Sequence, residues 1–176
     1  MNYRNFINRL RILYPNFNII QKETRNGFAK NVFETLLQCK NEYVLIIQHD
    51  WKFNFRIDFD SLIQKYFIDM DLNYLGFHSS IDYQNKKVIH TKSKEDIIPV
   101  HFWYDKNHLA RKSYYLNEVF SNKRCKVKNF IEDTFGQYQL NDIKKNKDNF
   151  IKYKSFLLNS ETNILINFDG RKFKEK

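Results

Sequence analysis

Apolar residues at the start of the chain recur at helical spacing, and further along they gather into short unbroken runs. In the stretch Asn5–Leu13, Phe6, Ile7, Leu10 and Leu13 fall on one side of a helix. Pro15 ends it, because proline restricts the residue before it. Phe17–Ile20 reads as a short strand, and Asn26-Gly27 as a turn. The next helix covers Phe28–Cys39, with Phe28, Val32, Thr35, Leu36 and Cys39 near one face. Tyr43–Ile47 is a continuous apolar run rich in β-branched residues, the pattern of a strand covered on both faces, and it stops at Gln48-His49-Asp50-Trp51.

Further along, the pattern predicts a helix over Phe59–Met70, a strand over Leu72–His78 and a hairpin over Ile81–Thr91 turning at Gln84-Asn85. A strand over Ile97–Trp103 follows, then helices over Leu109–Val119 and Phe130–Asn146, and a last strand over Asn163–Phe168. Alternating strands and helices predict an α/β domain with a mostly parallel central sheet and a small antiparallel addition around residues 81–104. In open sheets of this kind ligands bind beyond the carboxyl ends of the strands. His49 and Asp50, at such an end, are site candidates by position alone.

Composition narrows the picture. The 176 residues fit one domain, 1–176, able to bury a core without disulfides. The two cysteines, Cys39 and Cys125, form no CxxC pair and no zinc spacing, so free thiols in a reducing compartment are expected. The first twenty residues carry Arg4, Arg9 and Arg11 without a continuous apolar core, unlike a signal peptide, and no apolar run is long enough to span a bilayer. A soluble cytoplasmic protein is expected. The net charge of +10 favours anionic partners, but the lysines are scattered, with Lys144, Lys145 and Lys147 interleaved with Asp142 and Asp148. No nucleic-acid-binding signature is present.

Three stretches carry chemistry in order: Gly27-Phe28-Ala29-Lys30-Asn31 opening a helix, the strand ending in Gln48-His49-Asp50, and Phe130-Ile131-Glu132-Asp133 at a helix start. Each has a plainer reading by itself, as a chance match, a turn residue or a first-turn carboxylate suited to the helix dipole. In this order they resemble family 2 glycosyltransferases of the GT-A fold, over residues 17 to 136. The resemblance implies transfer of a sugar from a nucleotide-sugar to a saccharide or other hydroxyl acceptor, with inversion. It assigns donor binding to Gly27, Lys30, Asn31 and Asp50. A divalent cation, Mn²⁺ or Mg²⁺, would be held by Asp50 with help from His49, and would stabilise the leaving diphosphate. Asp133 would be the base that takes the acceptor proton, with Glu132 beside it.

The stretch His101–Arg111 interleaves Trp103, Asp105, His108 and Arg111, residue types that suit a sugar site, since rings stack on apolar sugar faces while polar groups bind hydroxyls. It is similar to a Trp-x-Asp-x-x-His-x-x-Arg stretch in viral and bacterial transferases, which makes these four candidate acceptor contacts. On a helix, His108 and Arg111 would share a face; a core tryptophan beside a helix cap is the alternative. Asn167-Phe168-Asp169-Gly170-Arg171 resembles a His-x-Asp-Gly-Arg ending. The chain departs from the family pattern at Gln48, at Asn167 and in opening on a helix where relatives have a first strand. These departures favour a degenerate GT-A domain that binds a sugar or protein partner; charge, aromatic content and scattered acids give a further expectation, a basic nucleic-acid-binding protein.

Overall fold

A computed structural model describes residues 3–24, 26–79, 96–121, 124–126, 128–160 and 162–167. Helices α1 (Tyr3–Leu13) and α2 (Phe28–Leu36) come first. Strands β1 (Tyr43–Ile46) and β2 (Trp51–Phe53) follow. Helix α3 starts at Phe59–Leu62 and continues with wider π-type turns over Ile63–Asp69. Asp58 caps it, its carboxylate accepting from the Ser61 amide at 3.1 Å. Then come β3 (Tyr74–Phe77), β4 (Ile97–Pro99) and β5 (His108–Arg111). Helix α4 joins Lys112–Tyr114 to Tyr115–Val119, and α5 joins Glu132–Gly136 to Gln137–Lys145. Helix α6 (Phe150–Tyr153), β6 (Ser155–Leu158) and β7 (Leu165–Asn167) complete the order.

The main sheet has five strands in the order β1-β5-β3-β6-β4, and β2 and β7 form a separate antiparallel pair. Strand alternation sends neighbouring side chains to opposite faces. Tyr74, Ile98, Ala110 and Leu157 therefore join one apolar cluster with Val32 and Leu36 of α2 and Phe135 of α5. Leu75, Phe77, Ile97 and Leu109 join the other, with Tyr66 and Phe67 of α3 and Leu165 of β7. The fold is thus α/β, a mixed sheet covered on both faces. All four residues of β3 are buried, as its central place requires.

Several expectations are corrected. Strands β1, β3 and β6 run the same way, but only the β3–β6 pairing is parallel. The cause is β5, whose residues were read as the start of a helix. It lies between β1 and β3 and opposes both. Strand β1 is consequently an edge strand, with Val44 buried, Leu45 and Ile46 half-buried and Ile47 60 % exposed. The strand read over 97–103 is formed over Ile97–Pro99, with the Val100 amide adding a bond to the Ser155 carbonyl at 2.9 Å, and it belongs to the main sheet. Phe17–Ile20 forms no strand. The hairpin over Ile81–Thr91 and the Asp169-Gly170-Arg171 ending lie outside the described residues.

Candidate functional site

The site is built where β1 and β3 end and β5 begins. In the sheet Ile46 lies opposite His108, and His108 opposite Gly76. One edge therefore collects Gln48–Asp50 from beyond β1, His78 and Ser79 from beyond β3, and Asp105–Asn107 from before β5. These last three residues each make a different connection.

Asn107 is fully buried, and its Oδ1 accepts from the Gln48 amide at 2.8 Å while its Nδ2 donates to the Trp51 carbonyl at 3.4 Å. It grips both ends of a tight turn, which the Trp51 amide closes on the Gln48 carbonyl at 3.3 Å. His49 and Asp50 lie at the tip of this turn. His49 is exposed. Asp50 is half-buried, and its Oδ1 is shielded without a hydrogen-bond partner among the described residues. Asn167 stands opposite Trp51 in the β2–β7 pair, so the strand end and the final strand meet here.

Lys106 extends from the same segment. Its Nζ lies 3.0 Å from Ser79 Oγ and 5.3 Å from the ring centres of both Trp51 and Tyr104. Asp105 faces the other way, into α5. The Glu132 amide donates to Asp105 Oδ2 at 3.2 Å, and the Asp105 amide donates to Glu132 Oε2 at 3.4 Å. This is a capping box made by a residue distant in sequence, satisfying an amide at the helix start that has no partner within the helix. Asp105 is only 2 % exposed, and burial pushes its carboxyl up to about 7, the neighbouring Glu132 and Asp133 charges acting in the same direction. Asp133 is exposed on the first turn of α5, beside this pair.

The N-terminus of α2 adjoins the same helix start. Gly27 has φ of 83°, and a Cβ there would come within 2.6 Å of the Lys128 carbonyl oxygen, so only glycine fits. The Ala29 amide donates to the Asn129 carbonyl at 3.2 Å, and Phe28 stacks on Phe130 at 5.5 Å. Lys30 pairs with Glu34 at 3.7 Å, one turn on. Asn31 is exposed and lines a recess of ≈ 310 Å³ between α2 and β1.

Three proposed acceptor contacts are placed elsewhere. Trp103 is fully buried, with Tyr74, Tyr115 and Phe135 at ring-centre distances of 4.4, 5.1 and 5.4 Å. It presents no ring face to a ligand. His108 is also fully buried; its Nδ1–H donates to the Lys106 carbonyl and its Nε2 accepts from the Tyr115 hydroxyl at 2.6 Å. Burial lowers its pKa to about 4, so the ring is neutral. Arg111 lies at the far end of β5, opposite Tyr43, and donates to the Phe67 and Leu72 carbonyls and to Asp71. His108 and Arg111 are on a strand, where residues three apart face opposite ways, so the shared helical face is not formed.

Lys106, Asn107 and Trp51 were not singled out for the site by sequence reasoning. Their only signal was adjacency, within the His101–Arg111 stretch and directly after Asp50. Among the described residues no three His, Cys, Asp or Glu side chains gather as a metal cluster, and no helix is long and apolar enough to cross a membrane. No family model matches this chain, and no curated protein or solved structure matches it either.

Proposed function

We propose that this chain is a GT-A-type glycosyltransferase that moves a sugar from a nucleotide-sugar to a hydroxyl acceptor. One observation carries the reading. The tripeptide Asp105-Lys106-Asn107 links the Asp50 turn to the start of α5, through Asn107 at one end and Asp105 at the other. The turn that carries Asp50 and the helix start that carries Glu132 and Asp133 are thus both hydrogen-bonded to one three-residue segment, which supports the reading.

In this reading Lys106 offers its ammonium to the donor diphosphate from beside the Trp51 and Tyr104 rings. Asp50 would hold a divalent cation, which supplies neutralisation of the leaving diphosphate when bound. The shielded Asp50 oxygen fits one such ligand bond, and Gln48 and His49 offer the neighbouring donor atoms. Asp133 accepts the proton of the acceptor hydroxyl as that hydroxyl's oxygen bonds to the anomeric carbon and the bond from the same carbon to the diphosphate breaks. Glu132, held by the Asp105 amide, fixes the first turn that presents Asp133. Gly27 lets α2 approach the segment leading to that turn, so its role is positioning. Trp103 and His108 are buried supports of the same segment.

Release of nucleoside diphosphate from nucleotide-sugars, measured with and without sugar acceptors, tests this reading. Turnover that disappears in Asp133→Asn supports it. Turnover unchanged in that variant removes Asp133 as base. Binding of a donor without any turnover would leave the degenerate sugar-binding domain as the better reading.

A further inference from the structure

Helix α1 and the segment after it expose an unusual amount of apolar surface. Phe6, Ile12, Leu13, Tyr14, Phe17 and Ile20 are 46, 79, 56, 47, 68 and 36 % exposed. Among the described side chains of α1 only Ile7 is buried, and α1 contributes to neither apolar cluster of the core. Phe6, Leu10 and Leu13 follow at four and three residues and so share one side of the helix. Tyr14 and Phe17 stack at 5.1 Å, extending that surface beyond the helix end. An apolar area of this kind on a protein surface marks an interaction site.

Within the segment the charge is of one sign, although Lys22 at its end pairs with Glu34 at 2.5 Å. Residues 3 to 22 contain Arg4, Arg9, Arg11 and Lys22 and no aspartate or glutamate; the first acid is Glu23. Arg9 lies three residues from Phe6 and four from Leu13, on the border of the apolar side. A protein partner could match apolar side chains. A run of twenty residues without one acid, with arginines bordering exposed aromatics, instead complements a surface that is apolar beneath and anionic above. We propose that α1 and Tyr14–Ile20 form an interfacial anchor that lays Phe6, Leu13 and Phe17 into an anionic lipid surface, with Arg9 and Arg11 at the headgroups. The inference rests on this segment alone and not on the sheet-edge site.

The test is co-sedimentation of the full chain with vesicles of phosphatidylcholine, or of phosphatidylcholine mixed with phosphatidylserine, at low and high salt. The protein should partition to the phosphatidylserine vesicles and lose that partition at high salt. Partition should fall about tenfold or more in Arg9→Glu/Arg11→Glu, because each basic residue near an anionic surface strengthens binding severalfold. Phe6→Ser/Leu13→Ser should lose it too, and both variants should melt at the wild-type temperature, since α1 lies outside the core. Three results overturn the proposal: no partition to either vesicle; partition retained in both variants, which assigns the attraction to the basic surface elsewhere; or a dimer of the free protein that Phe6→Ser/Leu13→Ser abolishes without any vesicle binding, which assigns the face to a second copy.

Discussion

Asp105 and Glu132 hold each other by their main chains: the Glu132 amide donates to the Asp105 carboxylate at 3.2 Å and the Asp105 amide to the Glu132 carboxylate at 3.4 Å. Two acids so close, one buried and one half-buried, would ordinarily repel. The amides offset part of that repulsion, and burial leaves Asp105 with a raised pKa of about 7. The pair therefore fixes the start of α5 and leaves a titratable group inside the protein.

The sign of the pH effect follows. Unfolded, Asp105 loses its proton near 3.8; folded, it keeps it to about 7. Between these values the unfolded chain binds fewer protons, so the contribution of Asp105 to stability falls as pH rises, and it is constant above about 7. Asp105→Asn cannot titrate. Its unfolding free energy relative to wild type should climb across that window, by on the order of 4 kcal/mol, and then level off. Denaturant titrations at a series of pH values check this; a difference that does not change with pH contradicts it. His108 titrates in both proteins and cancels in the comparison.

Asn107→Ala removes the partner of the Gln48 amide and of the Trp51 carbonyl, both in the turn that carries Asp50. The loss should cost about 1–3 kcal/mol of stability, because polar groups are left unpaired away from water. Donor affinity should fall with it. An unchanged urea midpoint together with unchanged donor affinity would show that the turn holds without Asn107.

Gly27→Ala places a Cβ against the Lys128 carbonyl in a backbone conformation that alanine resists. A loss of roughly 1–3 kcal/mol is expected. Chemical denaturation measures it. Alanine tolerated at no cost would mean that α2 and residues 128–130 can separate.

Asp133 is exposed, and among the described residues its side chain makes no hydrogen bond or ion pair. Asp133→Asn should leave stability within about 0.5 kcal/mol of wild type. Turnover should drop by roughly 10²–10⁴, the range that removal of a general base gives. Thermal melting and nucleotide release on the same preparation separate the two effects, and equal turnover in both proteins would exclude Asp133 as the base.

Much of the fold was legible because its elements are strongly patterned. Helix α1, helix α2 and the Tyr43–Ile46 strand fall where periodicity predicts them. Strand β5 was not legible. His108-Leu109-Ala110-Arg111 has only two central apolar residues and runs straight into a helix, so local pattern joined it to that helix. Strand β6 was missed because Ser155–Leu158 is short and follows Lys154 in a left-handed turn. An apolar run such as Tyr43–Ile47 reports that a strand is covered, not which strand lies beside it, and this hid the edge position of β1. For the site, Asp50 and Glu132 could be picked out because carboxylates at element ends are conspicuous. Asn107 could not, since its role depends on two main-chain groups more than fifty residues away. Trp103 and His108 have side chains suited equally to a sugar site and to a core; only their burial distinguishes the two.

The most direct test is a thermal-shift panel of UDP-, GDP- and dTDP-linked sugars, each with and without Mn²⁺, on wild type and Asp50→Ala. A ligand that binds only the folded state raises the melting temperature by mass action. A rise with one nucleotide class is expected, dependent on the metal and lost in Asp50→Ala. No rise with any donor, from wild-type protein that melts cooperatively, would contradict a nucleotide-sugar site at this edge of the sheet.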